Sequence, residues 1–191
     1  MRNRNVTIFF IVDTSGDMKP PMMDILNNEM EEMLNIFKTL IPSCDVSIAV
    51  LEFNSEVNWV LQPTPISNVK WEPLCSGGLC NFGAGIDELE RNLYDFLGED
   101  ENKTTQNYYP IFIFMLAGHQ TDDYVKPLKK IKNNLWFNKG VKIVFALSKA
   151  PDISALKDIT GTSEAIITIS DLNSSKKLFC LVEIDKKISD S

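Results

Sequence analysis

The chain has 191 residues, 44% hydrophobic and 24% charged, which suits one soluble domain with a full-sized core. Nineteen Lys and Arg stand against 26 Asp and Glu, giving a net charge of -7. No basic patch suited to a phosphate backbone is visible, so neither a nucleic-acid partner nor an anionic membrane is expected.

The first element is the run VTIFFIV, residues 6–12, with no alternation of polar and apolar positions. It predicts a central parallel strand covered on both faces, emptying at Asp13 into the small polar loop DTSGDM. Open α/β sheets bind ligands just past such strand ends, which singles out Asp13, Ser15 and Asp17. Capping of the next helix is the structural alternative for Asp13 and Ser15. The run is also too short for a membrane span, which needs about 18 apolar residues, and no small-residue cleavage site follows it. A cytoplasmic protein is therefore expected, with Cys44, Cys75, Cys80 and Cys180 as free thiols.

Pro20 and Pro21 suit the start of a helix, in which Leu26, Met30, Met33, Phe37 and Leu40 recur at spacings of four and three before Pro42 stops it. Residues 45–53, DVSIAVLEF, read as a second strand. A turn at Asn54 and Ser55 then leads to EVNWVL, where Val57, Trp59 and Leu61 alternate with polar neighbours. A two-residue turn makes this third strand antiparallel, and alternation gives it one solvated face. Residues 62–72, with Pro63 and Pro65, read as a loop ordered by Trp71.

Gly77 and Gly78 predict a tight loop with positive φ, and Phe82, Ile86, Leu89, Leu93 and Phe96 predict the second helix. The glycines lack the Gly-Lys-Ser/Thr ending of a phosphate-binding loop. The polar stretch 98–107 reads as a surface loop. PIFIFML, residues 110–116, is another fully apolar strand ending in a polar cluster, AGHQTDD. One helix follows, with Val125, Leu128, Ile131 and Leu135 inward, Lys126, Lys129, Lys130 and Lys132 in solvent, and Asp122 and Asp123 near its positive end. VKIVFAL, a short helix closed by Gly161, the strand EAIITI and a helix over residues 174–182 complete the order. Strands alternating with crossover helices imply a parallel sheet with helices on both faces. One domain over residues 1–185 is expected, with a frayed tail at 186–191.

Three stretches together resemble the von Willebrand factor type A (vWA) domain. They are the strand ending in Asp13-Thr14-Ser15-Gly16-Asp17-Met18, the segment of residues 76–85, SGGLCNFGAG, and the strand and loop of residues 111–123. The resemblance implies a Rossmann-like three-layer α/β/α sandwich, its six-stranded sheet mostly parallel with one antiparallel edge strand. Within the superfamily, the pairing of GGLCNFGAG with PIFIFMLAGHQTDD resembles the bacterial TerY-like proteins of tellurium-resistance and stress operons.

The family's metal-ion-dependent adhesion site (MIDAS) holds a hard divalent cation, usually magnesium, on oxygen ligands. Asp13 and Ser15 match its motif. Asp17 stands at the second serine, Cys80 at the threonine and Ala117 at the aspartate, which reads as a degenerate site. A thiol is a poor magnesium ligand, and alanine removes a carboxylate. The resemblance thus implies a non-catalytic protein-interaction module, with magnesium at Asp13, Ser15 and Asp17 the one cofactor to consider. Kinase-like and phosphatase proteins of a stress operon are the implied partners.

The alternative is a phosphatase-like Rossmannoid hydrolase with Asp13 as nucleophile and Ser148 at a second strand end. There Ser15 would occupy the general acid's position, which it serves poorly. His119, the single histidine, has no nucleophile motif beside it and reads as a surface loop residue. A purely structural subunit of an assembly would share the features of the binding module.

Overall fold

In the computed structural model, which describes residues 4–40, 44–99, 108–117, 119–147, 153–162 and 165–168, the opening apolar run becomes β1 (Arg4–Asp13). It is followed by α1 (Pro20–Leu40), β2 (Cys44–Phe53), β3 (Val57–Pro65), α2 (Phe82–Leu97) and β4 (Ile111–Leu116). Then come α3 (Val125–Ile131), α4 (Leu135–Lys139), β5 (Val141–Ala146), α5 (Ile153–Thr160) and β6 (Ile166–Thr168). The expected helix over 174–182, the tail at 186–191, Ser148, Cys180 and most of the polar stretch 98–107 lie outside the described residues.

Among the described residues the sheet has six strands in the order β3-β2-β1-β4-β5-β6. β1 pairs in parallel with both β2 and β4, and β3 alone runs antiparallel, on the edge beside β2. This is the expected Rossmann-like α/β architecture. Successive β1 side chains go to opposite faces. Val6, Ile8, Phe10 and Val12 pack with Met23, Leu26, Met30, Leu34 and Phe37 of α1. Phe9 and Ile11 pack into the other layer with Ile86, Leu89 and Leu93 of α2 and Leu128, Ile131 and Trp136. Each large apolar side chain so buried contributes about 1.5–3 kcal/mol, which is why unbroken apolar runs are stable in strands covered on both faces, here β1 and β4.

Five expectations are corrected. Pro63 and Pro65 belong to β3 rather than to a loop, because an edge strand tolerates a residue without an N–H. The turn before β3 holds three residues, since Phe53 is already paired with Val57; the Asn54 side chain accepts from Glu56 N at 2.9 Å within it. The single helix expected after β4 is two, because Asn134 breaks it and caps α4 by accepting from Trp136 N at 3.0 Å. Val125, at the first position of α3, lies 63% exposed rather than inward. Of the two glycines expected at positive φ, only Gly78 takes it, at 77°. Trp71 does pack against the α1 layer, half-buried. No helix among the described residues is long and apolar enough to cross a membrane.

Candidate functional site

The chain leaves β1 toward β2 on one side and later returns to β4 on the other, so the carboxyl ends of β1 and β4 flank a topological switch point. Neighbouring connections diverge there and leave a crevice. Asp13 ends β1 and Ala117 follows β4, on strands in register through Val12 and Met115.

Asp13 is fully buried. Its Oδ1 accepts from Ser15 N at 2.9 Å, and its Oδ2 accepts from Ala117 N at 3.1 Å and faces the Cys80 Sγ at 3.6 Å. The thiol is the donor. Burial first, then the charge and hydrogen bond of Asp13, and more weakly Asp122 and Asp17, push its pKa well above the usual cysteine range. Ser15 is also buried, and its Oγ has no hydrogen-bond partner among the described residues. Asp17, by contrast, is exposed. The fold therefore brings Asp13, Ser15, Cys80 and Ala117 together and leaves Asp17 on the rim. His119 is exposed in the β4–α3 loop.

Several residues that the motif reading passed over assemble these loops. Thr14 donates through both N and Oγ1 to Phe53 O, at 2.9 and 3.3 Å, and its Oγ1 accepts from Asn54 Nδ2 at 3.1 Å. Gly77 N reaches Thr14 O at 2.9 Å, and Gly16 N reaches Gly78 O at 3.0 Å. Thr121 N donates to Cys80 O at 2.9 Å, and its Oγ1 donates to Asn81 Oδ1 at 3.1 Å. Asp122 completes the set. Its carboxylate accepts from Gly83 N at 2.9 Å and Ala84 N at 2.8 Å, capping α2 in place of Asn81, whose own side chain makes no cap bond. The expectation that Asp122 serves the following helix is thus corrected. Only Asp123 does so, accepting from Val125 N at 3.1 Å.

On the α1 side, Glu52 lies half-buried near the end of β2. Burial raises its pKa, opposed by hydrogen bonds from Asn58 and Thr14. The loop face also carries the two most exposed large apolar side chains among the described residues, Val125 at 63% and Leu79 at 58%.

No family model matches the chain, and no curated protein does. Solved structures do match. Proximal thread matrix protein 1 from the mussel byssus, with a zinc-occupied MIDAS motif, is 15% identical, covering 94% of this chain and 47% of its own, at a TM-score of 0.67. The ArnB paralog VWA2 from Sulfolobus acidocaldarius is 13% identical, covering 90% and 43%, at 0.64. The fold is that of a vWA domain. A pilus adhesin, SpaC from Lactobacillus rhamnosus GG, shares it at 10% identity and a TM-score of 0.72, covering 97% of this chain and 31% of its own. The chain spans less than half the length of each of these proteins.

Against the hard divalent cation of the vWA site, the donor set does not fit. Asp13 and Ser15 supply oxygen, but Asp13 Oδ2 is already faced by an N–H and an S–H, and Ala117 offers no side-chain oxygen. Magnesium held by few protein ligands keeps several waters, and exposures of 0% and 1% at Asp13 and Ser15 leave little surface for them. No three His, Cys, Asp or Glu side chains cluster as metal ligands among the described residues.

Proposed function

We propose that the chain is a non-catalytic, vWA-type protein-binding module whose contact face is formed by the loops at the carboxyl ends of β1 and β4 and the end of the β3–α2 connection. The observation that carries this reading is the hydrogen-bonded assembly of residues 13–18, 76–84, 117 and 119–124 into one face, with the exposed Leu79 and Val125 beside it. Exposed apolar side chains on a preformed polar frame suit recognition, since little order has to be created on binding. The name of one matched structure, a pilus adhesin, points the same way. Asp13 is a poor nucleophile in this setting, being fully buried with both carboxylate oxygens engaged.

The TerY-like sequence resemblance extends the proposal to a bacterial stress-response system, with kinase-like and phosphatase proteins as partners and a degenerate MIDAS at the centre of the face. Affinity capture from the native host tests it. The parent chain and an Asp45→Lys variant, altered at the far end of β2, recover the same kinase-like or phosphatase partner. Leu79→Asp and Val125→Asp variants lose it. Equal recovery by all four chains, or none by the parent, would overturn the assignment of the face.

A further inference from the structure

We propose that the Cys80 thiol and the Ala117 amide hold Asp13 in the role a cation plays elsewhere in this fold, so that the loop face is assembled without metal. The inference rests on the reading of that face as the binding surface only for its purpose. How the face is held together is a separate matter.

Asp13 joins three segments far apart in sequence: its own turn through Ser15 N, the β3–α2 loop through Cys80 Sγ and the end of β4 through Ala117 N. In a metal-loaded vWA site, a cation tied to oxygens on three loops makes the same connection. Here each loop instead presents a hydrogen atom to the carboxylate. A carboxylate accepts up to about four hydrogen bonds and binds charge-assisted donors about twice as strongly as a neutral carbonyl does. A cation on Oδ2 would meet the positive ends of the S–H and N–H dipoles, which repel it.

The substitutions also work as a pair. A thiol at 80 supplies a donor where threonine would present an oxygen to a metal. Alanine at 117 removes a carboxylate that would stand beside Asp13 with no cation to neutralise the two. Zinc is the metal a thiol would otherwise favour, but its sites draw three or four protein ligands, and Asp13 with Cys80 makes only two. Ser15 Oγ, buried and without a hydrogen-bond partner among the described residues, is a further oxygen that an ion could use, so the metal titration below addresses it too.

Thermal unfolding and amide exchange of the purified full chain test the proposal. The expected result is one melting midpoint in chelator and in millimolar magnesium, manganese or zinc, with the Ala117 amide protected in chelator. Cys80→Val, which removes the donor at similar volume, lowers the midpoint, and Cys80→Ser, which keeps a donor, restores most of it. A cation that raises the midpoint of the parent but not of Asp13→Asn would overturn the proposal. So would an Ala117 amide that exchanges freely until metal is added, a readout that needs no variant to fold. Either result would leave partner capture through Leu79 and Val125 untouched.

Discussion

Replacing Asp122 by alanine removes the cap of α2, whose capped amide at Gly83 lies 39 residues earlier in the chain. Two hydrogen bonds of 2.9 and 2.8 Å are lost, to Gly83 N and Ala84 N. Losing an N-cap costs about 1 kcal/mol. Gly83 is buried, and a buried N–H left without a partner costs about 1–3 kcal/mol. Ala84 is exposed and water takes its N–H, so the two costs overlap and the expected loss is about 2 kcal/mol. In a chain of this size that lowers the melting midpoint by about 6 °C. Urea unfolding followed by far-ultraviolet circular dichroism reads it directly, as a lower midpoint with an unchanged slope. Asp122→Asn, which keeps an acceptor but not the charge, falls between the two. A loss below about 0.5 kcal/mol in the alanine variant would show that water replaces the carboxylate and that the loop-to-helix connection carries little energy.

Gly83→Ala would ordinarily gain about 1 kcal/mol of helix propensity. Here its Cβ would lie 2.5 Å from the Asp123 carbonyl oxygen, so the variant is expected to lose about 1–3 kcal/mol in the same urea assay. Gly78→Ala combines a φ of 77° with a Cβ 2.5 Å from Ser55 Oγ, and should lower the melting midpoint. Glu52 is raised above its ordinary pKa of 4.5 by burial, so the folded chain holds its proton more tightly than the unfolded chain. That contribution is fully present below 4.5 and is lost as pH rises through the folded value. Glu52→Gln should therefore improve in stability relative to the parent as pH goes from 4 to 7, seen as diverging melting midpoints. Between the two cysteines with described side chains, iodoacetamide should label exposed Cys75 far faster than buried Cys80, read by peptide mass spectrometry.

The strands and the layer arrangement were legible because the fold's strongest requirement, apolar cover on both faces of β1 and β4, leaves an unbroken apolar run in the chain. The edge position of β3 was legible for the converse reason, the alternation of Val57, Trp59 and Leu61 with polar neighbours. Reading failed where a local signal has two physical meanings. Proline signals a loop or an edge strand, and Pro63 and Pro65 took the second. An asparagine before an apolar triplet is a cap or a mid-helix polar residue, and Asn134 took the first. At the site, the motif located Asp13, Ser15, Cys80 and Ala117, which meet. It could not show that Asp17 turns to solvent or that Asp122 reaches α2, because neither follows from spacing along the chain. Thr14, Asn54, Asn81 and Thr121 carry only the weak signal of small polar residues at strand ends, which any turn would share.

The two prolines of β3 also bear on how the protein behaves when concentrated. A free strand edge is a template on which another chain can extend the sheet, and repeated pairing of this kind is a route to insoluble aggregates. Val60, 39% exposed on β3, would add an apolar contact to such a pairing. Pro63 and Pro65 have no amide hydrogen to offer, so the ladder available to an incoming strand breaks off partway along the edge. The outermost strand thus offers an incoming chain only the part of its edge before Pro63, which shortens any ladder that could form there.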